Sequence, residues 1–149
     1  MPTLIENKKA YFNYEILEKF EAGIELLGPE VKSLTNKRGS LEGSHAIARG
    51  GEVFLIGMNI PPYQPKNMPK DYDPLRNRRL LLTKKEIDVL AGAEGAKGLT
   101  IVPISLYTKG RKIKVSIGIG RGKKKYDKRE SIKKRDTERD VAREMRERF

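Results

Sequence analysis

Residues 98–120 read GLTIVPISLYTKGRKIKVSIGIG, and this stretch decides the predicted fold. Two runs rich in β-branched residues flank Lys109-Gly110, which is the pattern of a β-hairpin. In the second run, apolar odd-numbered residues alternate with even-numbered polar residues or glycine: Ile113, Val115, Ile117 and Ile119 against Lys112, Lys114, Ser116 and Gly118. The alternation predicts a strand whose odd positions face a core and whose even positions face outward.

A second alternating stretch runs from Phe12 to Leu26 and is far longer than an ordinary strand of about 5–6 residues. A strand of this length must bend or bulge, and Gly23 is the predicted place. The two-glycine sequence at residues 49–52 predicts another hairpin. Four alternate apolar residues are expected on one face of the strand that follows it: Phe54, Ile56, Met58 and Ile60.

Two short helices are predicted between the strands. Pro29 suits the first turn of a helix over about 29–36, and Thr83 with Glu86 forms a capping-box pattern for a helix over about 84–92. Residues 61–74 carry five prolines and are expected to form a surface loop. About six strands and two helices without βαβ alternation predict a mainly β fold, an antiparallel barrel with inserted helices.

Charge divides the chain into two parts. There are 32 Lys and Arg against 20 Asp and Glu, a net charge of +12 over 149 residues. Residues 121–149 hold 13 basic and 7 acidic side chains, which is half of the excess. This distribution predicts a globular body with a basic arm and favours a polyanionic partner.

Several kinds of chemistry are disfavoured. Cysteine is absent and His45 is the single histidine, which argues against zinc sites, thiol nucleophiles and catalytic triads. Gly118-x-Gly120-x-Gly122-Lys123 has neither the phosphate-loop nor the dinucleotide spacing. No apolar run approaches the roughly 18 residues of a membrane span, and the N-terminus lacks an apolar signal core. We therefore expect a cytoplasmic protein without catalytic residues, metal or cofactor.

Four basic clusters could converge on one face of a small barrel, or could be scattered surface charges. They are Asn7-Lys8-Lys9, Arg76 with Arg78 and Arg79, Lys112 with Lys114, and Arg121 with Lys123, Lys124 and Lys125. The segment 122–149 carries too little apolar surface for a stable isolated helix. It is interpreted either as a disordered solubilising tail or as a tail that becomes helical on a polyanionic template.

The chain resembles the SsrA-binding protein family, also called small protein B or SmpB. The resemblance rests on segments in the family's order along nearly the whole chain: NKKAYFNYEILEKFEAGIEL, GPEVKSL, NRRLLLTKKEI, GLTIVPISLY and KIKVSIGIGRGKKKYDKRE. It implies an oligonucleotide-binding (OB) barrel, residues 1–121, that binds transfer-messenger RNA (tmRNA) and brings it to ribosomes stalled without a stop codon. It also implies a tail, residues 122–149, that is disordered when free and helical on the ribosome.

The resemblance implies roles for individual residues. Those matched to tmRNA binding are Asn7, Glu21, Leu81 and Lys114. Four residues of the basic clusters are added as candidates for RNA binding: Lys8, Arg121, Lys123 and Lys124, of which Lys123 and Lys124 also match the family's hinge. Gly122 matches the hinge between barrel and tail. Residues matched to contact with the ribosomal decoding centre are Tyr126, Asp127, Lys128 and Arg129.

The implied partners are the tRNA-like domain of tmRNA and the small ribosomal subunit, at the decoding centre and the mRNA channel. Elongation factor Tu and alanyl-tRNA synthetase would be reached indirectly through tmRNA, and the protein would act as a monomer in a 1:1 complex. A rival hypothesis is a ribosomal or assembly protein that stays bound as a structural component.

Overall fold

The computed structural model describes residues 2–64, 66 and 68–123. This part of the chain contains seven strands and three helices. The strands are β1 (Thr3–Glu6), β2 (Tyr14–Ile24), β3 (His45–Arg49), β4 (Glu52–Ile56), β5 (Arg78–Leu81), β6 (Leu99–Lys109) and β7 (Lys112–Gly122). The helices are α1 (Ala10–Asn13), α2 (Gly28–Thr35) and α3 (Lys84–Glu94). The predicted tail beyond Lys123 lies outside the described residues.

All seven strands belong to one antiparallel sheet in the order β1-β6-β3-β4-β5-β2-β7. Strand β7 also pairs with β6, so the pairings return to a strand already in the sheet and close a ring. The β6–β7 hairpin runs from Leu99 opposite Arg121 to Lys109 opposite Lys112. The predicted fold class, a mainly β antiparallel architecture with inserted helices, is confirmed.

The N-terminal region differs from the prediction. The strand predicted from Phe12 begins at Tyr14, because residues 10–13 form the single helical turn α1. Strand β1 was not predicted, and it pairs with β6. The irregularity in β2 lies between Ile16 and Glu18 and not at Gly23. The bulge turns Leu17 outward, where it is 45% exposed, and this explains the apolar residue at an exposed position.

The face of β4 was also predicted incorrectly. Val53 and Leu55 are fully buried, whereas Phe54 and Ile56 are half-buried on the other side. Gly57 follows with a φ of 81°, a left-handed conformation that glycine adopts without strain. The alternation changes phase there, so Met58 and Ile60 are buried as predicted although they lie beyond the strand.

The helices and the hairpin turns follow their local signals. Thr83 accepts a hydrogen bond from the Glu86 backbone N–H at 3.3 Å, and Glu86 accepts one from the Thr83 backbone N–H at 3.0 Å. This is the predicted capping box at the start of α3. The turn between β3 and β4 contains Gly50 and Gly51, whose φ angles of 59° and 77° suit a tight hairpin.

Two glycines of β7 lie on the outward face but are covered by neighbouring strands. A Cβ on Gly118 would lie 2.8 Å from Ile16 Cγ2 and 3.2 Å from Ile104 Cδ1. A Cβ on Gly120 would lie 2.9 Å from Tyr14 Cβ. The prediction that Gly118 faces outward therefore needs a correction: this position is buried, because side chains of β2 and β6 fold over its backbone.

This packing predicts the effect of adding one methyl group. Gly118→Ala is expected to destabilise the fold by about 1–3 kcal/mol, since a contact below 3 Å forces side chains out of position. Gly122→Ala is the matched control, because its Cβ meets nothing within 4 Å. Urea unfolding of both variants measures the difference. Equal stabilities would contradict the close packing.

A buried ionic network joins α2, the proline-rich loop and β5. Glu30 and Arg78 are both fully buried, and two Arg78 nitrogens donate to Glu30 Oε2 at 2.8 and 2.6 Å. Arg76 also pairs with Glu30, and the Tyr72 hydroxyl lies 3.0 Å from Glu30 Oε2. Arg78 further donates to the carbonyl of Pro74, so the network supplies donors to a loop poor in backbone N–H groups.

The protein is expected to lose stability in acid because the Glu30 carboxyl becomes protonated. Burial opposes its ionisation, but hydrogen bonds from Arg76, the Leu27 backbone and Arg78 hold its pKa below the ordinary value of 4.5. The stabilisation is therefore present above about pH 4.5 and is lost as the pH falls through the lower folded pKa. We expect the free energy of unfolding of the wild type to fall more steeply below pH 4.5 than that of Glu30→Gln. Parallel pH profiles would contradict this assignment.

Candidate nucleic-acid interface

The residues matched to RNA binding are partly brought together by strand register. Lys114 on β7 is paired with Tyr107 on β6 and with Gly23 on β2. Gly23 is in turn paired with Leu81 on β5. Because paired residues of antiparallel strands point to the same side, these four positions form one row across the outer face of the barrel.

Gly23 lets the side chain of Leu81 extend along this row. A Cβ at Gly23 would lie 3.1 Å from Leu81 Cβ and 3.3 Å from Leu81 Cδ1. The leucine therefore covers the glycine, and 48% of its surface remains exposed. It also lines a shallow cleft of about 260 Å³ together with Arg79, Leu82 and Ile87. Leu81 therefore provides an exposed apolar surface in the same row as Lys114, with Gly23 between them.

Glu21 lies two residues before Gly23 on β2 and is paired with Ser116 on β7. Its carboxylate accepts hydrogen bonds from the Tyr107 hydroxyl and, at 3.0 Å, from Lys109 Nζ. Both hydrogen bonds lower the pKa of Glu21, and the bond from Tyr107 has the larger effect. Burial and the bond to Glu21 raise the pKa of Tyr107 to about 12. At neutral pH this unit is an ionised carboxylate held by two donors. We call Glu21, Leu81, Tyr107, Lys109 and Lys114 the outer-face cluster.

Asn7 lies further round the barrel and has a structural role. Its side-chain amide donates to the Pro103 carbonyl at 2.9 Å, and its backbone N–H donates to the Ile104 carbonyl at 2.8 Å. Glu6 on β1 is paired with Ser105 on β6. Ser105 is paired with Ser116 on β7, and Ser116 is paired with Glu21 on β2. Three strand spacings of about 4.8 Å place Asn7 roughly 14 Å from Glu21. Asn7 therefore lies outside the outer-face cluster.

Asn7 also lines a polar cleft of about 380 Å³ near the end of β7. Amide, hydroxyl, aromatic and imidazole groups line this cleft, including those of Asn13, Tyr14, His45 and Thr100. The Lys123 backbone N–H donates to the Asn13 carbonyl at 2.9 Å, so the start of the tail is attached beside it. His45, given no function from sequence, is exposed at the beginning of β3 and contributes to this cleft.

The remaining predicted residues are spread along the barrel. Lys8 is exposed next to Asn7, and Arg121 and Gly122 are exposed at the end of β7. Eight residues of strand separate Gly122 from Lys114, which is about 26 Å. The structure therefore brings Glu21, Leu81 and Lys114 together and leaves the start of the tail far from them. Lys124, Tyr126, Asp127, Lys128 and Arg129 lie outside the described residues.

One of the four basic clusters forms ion pairs within the protein. Arg78 is buried and neutralised by Glu30, which also pairs with Arg76. Arg79 forms ion pairs with Glu25 at 2.5 Å and with Glu52 at 2.8 Å. Of the two interpretations left open by the sequence, convergence on one basic face is not favoured for this cluster, because its charges are matched by carboxylates of the same molecule.

Two residues of the outer-face cluster, Tyr107 and Lys109, were missed from sequence. Their signal was present in the hairpin, since the turn at Gly110 aligns Tyr107 with Lys114 and Lys109 with Lys112. The contact of both with Glu21 joins residues 86 and 88 positions apart, which no local pattern reveals.

Two further classes of site are absent from the described residues. Within residues 2–64, 66 and 68–123, no three His, Cys, Asp or Glu side chains are grouped so that they could hold a metal ion. The helices in the same part of the chain are all too short or too polar to cross a membrane.

Taken together, the fold and the site define a small basic protein built on a closed antiparallel sheet, with lysines, a fixed carboxylate and an exposed leucine on one face. The chain belongs to the SmpB protein family, which matches residues 4–147. This match confirms the resemblance inferred from the sequence.

Curated relatives and a solved structure agree with this assignment. The SsrA-binding protein of Mesoplasma florum is 55% identical over 133 residues, covering 89% of both chains. That of Clostridium acetobutylicum is 48% identical over 143 residues, covering 96% of this chain and 92% of the relative. A chain solved in a study of tmRNA-SmpB on its journey to the center of the bacterial ribosome has a TM-score of 0.69 and 42% identity. The match covers 89% of this chain and 95% of that one.

Proposed function

We propose that this protein binds SsrA RNA, the tmRNA, through its tRNA-like domain and delivers it to stalled ribosomes for trans-translation. The observation that carries the proposal is similarity along almost the whole chain to proteins named for SsrA binding, at 48–55% identity in the two relatives described above. The solved neighbour, from the study of tmRNA-SmpB and the ribosome, supports the same proposal. In this role the protein is an adaptor and not an enzyme, and it needs no cofactor.

The outer-face cluster supplies chemistry suited to RNA. Lys114 offers a positive charge for a phosphate, and Glu21 offers acceptors for base N–H groups. Leu81 offers an apolar surface on which a base can lie. Asn7, Lys8, Arg121, Lys123 and Lys124 are proposed to extend the RNA contact along the barrel toward the tail.

The second half of the proposal concerns the tail. Gly122 would be the hinge, and residues 122–149 would occupy the empty mRNA path of the ribosome. Tyr126, Asp127, Lys128 and Arg129 would contact the decoding centre. Tagging of the incomplete protein and release of the ribosome would follow. Elongation factor Tu and alanyl-tRNA synthetase would act on the tmRNA of a 1:1 complex in the cytoplasm.

Recovery of the protein from cells, followed by sequencing of the bound RNA, tests the proposal directly. We expect tmRNA as the dominant RNA. In vitro, the protein should bind a tRNA-like domain tightly and a generic RNA duplex weakly at the same salt concentration. Equal affinity for the two would overturn the proposal. Stoichiometric presence in every purified ribosome would instead indicate a structural ribosomal component.

Lys114→Ala is expected to weaken binding of the tRNA-like domain by about 1–3 kcal/mol, because a charged contact to phosphate is removed. The slope of log affinity against log salt should fall by about one. Lys32→Ala is the control, since Lys32 is exposed on α2, outside the outer-face cluster. Filter binding at several salt concentrations measures both quantities. Equal losses in the two variants would exclude a specific contact at Lys114.

A further inference from the structure

We propose that Glu21 reads an unpaired guanine of the bound RNA and that Tyr107 and Lys109 are the residues that position it. The inference rests on the proposed function, because it names the nucleotide recognised at the outer-face cluster. It assigns a role to Tyr107 and Lys109, which the family resemblance did not identify.

The hydrogen-bonding capacity of Glu21 is half used. An ionised carboxylate has about four acceptor sites, two on each oxygen. The Tyr107 hydroxyl donates to Oε2 and Lys109 Nζ donates to Oε1, so each oxygen has one partner among the residues that the structure describes. The side chain is 37% exposed. One acceptor site on each oxygen therefore remains for a ligand, and together these form a two-pronged acceptor.

Guanine is the base that complements such a group. Its Watson–Crick edge carries two adjacent donors, the N1–H and the N2 amino group. Uracil carries one N–H on that edge, while adenine and cytosine each combine one amino donor with an acceptor. An ionised carboxylate has no proton to give to an acceptor. Recognition of Watson–Crick edges by side chains requires a splayed-out base, so the guanine is an unpaired one.

The charge of Glu21 also argues for base recognition. A carboxylate repels phosphate, so it lowers non-specific affinity for RNA wherever it stands on a basic face. Glu21 is nevertheless held in place by a tyrosine and a lysine, with Lys114 adding a favourable charge. The lowered pKa keeps it ionised at neutral pH. A fixed negative group in this position penalises ligands that cannot donate to it.

The neighbours of Glu21 suit the rest of a nucleotide. Lys114 lies on the next strand and Leu81 lies two strands from Lys114, with Gly23 between them. Two strand spacings are about 10 Å. This is the scale of one nucleotide from base to phosphate. A guanine that meets Glu21 with its Watson–Crick edge can contact the Leu81 surface while its phosphate approaches Lys114.

The test uses the full chain and a transcript of the tRNA-like domain. Each unpaired guanine is replaced in turn by inosine, which keeps N1–H and lacks the N2 amino group. Affinities are measured for the wild type, Glu21→Gln, Tyr107→Phe and the control Glu18→Gln. Glu18 is an exposed carboxylate on the same strand. Thermal unfolding confirms that each variant is folded.

We expect one guanine whose replacement weakens wild-type binding about tenfold, as is typical of losing one arm of a bidentate base contact. In Glu21→Gln the same replacement should have no further effect. Tyr107→Phe should reduce the guanine preference to about threefold or less, because the carboxylate loses one anchor. Glu18→Gln should retain the full preference. A role of Tyr107 in stability alone would leave the preference unchanged.

Two outcomes overturn the inference: no guanine position is coupled to Glu21, or Tyr107→Phe discriminates guanine from inosine as the wild type does. Either result is compatible with preferential binding of the tRNA-like domain over duplex RNA, so the proposed function would stand. If the wild type did not prefer the tRNA-like domain over duplex RNA, both the proposed function and this inference would be wrong.

Discussion

Glu30→Ala is expected to lower the free energy of unfolding by about 3–5 kcal/mol, a large share of the 5–15 kcal/mol typical of a small protein. The reason is the Arg78 guanidinium, which is fully buried and donates two hydrogen bonds to Glu30 Oε2, at 2.8 and 2.6 Å. Without the carboxylate it becomes a buried charge with no anion beside it. The Arg76 and Tyr72 contacts to Glu30 are lost at the same time.

Urea unfolding of the purified variant measures this effect, and Glu42→Ala is the control. Glu42 also forms a salt bridge, with Lys9 at 2.7 Å, but both side chains are largely exposed. Exposed pairs contribute little, so the control should be close to wild type. If both variants lost the same stability, the burial of the Glu30 network would not matter energetically. The double variant Glu30→Gln/Arg78→Met should recover part of the loss, since it removes both charges.

A chain ending at Gly122 is expected to bind the tRNA-like domain with little loss and to lose tagging of stalled products completely. The outer-face cluster lies on residues 21–114 and is kept, and only Lys123 and Lys124, at the edge of the proposed RNA contact, are lost from that contact. The proposed ribosome contacts, Tyr126 to Arg129, are all removed. Residues 123–149 carry 12 basic and 7 acidic side chains, a net charge of +5 of the chain's +12, so the weak attraction to any RNA should fall.

Two assays on the same protein preparations distinguish the role of the body from that of the tail. Filter binding near physiological salt measures RNA capture, and a reconstituted translation reaction on an mRNA without a stop codon measures tagging. Lys114→Ala in the full chain is the reciprocal control, with weakened capture and a tail left in place. Equal loss of RNA binding and tagging in the shortened chain would contradict the division into body and tail.

Local sequence patterns predicted the elements that depend on local forces. The β6–β7 hairpin follows from alternation on both sides of a glycine turn, and α3 follows from its capping box. The patterns failed where the backbone changes phase. The bulge before Glu18 and the left-handed Gly57 each shift the alternation, and the bulge lies in the pairing of β2 with β7, which is distant in the chain.

The candidate site shows the same division. Lys114 was identified as an outward lysine of a strand, and the family resemblance added Glu21 and Leu81. Tyr107 and Lys109 were missed, because their role depends on a contact with a strand more than 80 residues away. The ion pairs of the arginines at residues 76–79 could not be predicted for the same reason. Their basic charge is evident in sequence, but the carboxylates that neutralise it come from other elements.

The sequence by itself determined a mainly β fold, the basic composition of residues 121–149, the β6–β7 hairpin and the family. These depend on residue spacing, turn chemistry and charge, which are properties of neighbouring residues. The tertiary structure alone decided that Arg78 is buried against Glu30, that Leu81 lies over Gly23, and that Tyr107 holds Glu21 beside Lys114. Each of these joins residues distant in the chain, and closure of the sheet is what brings them into contact.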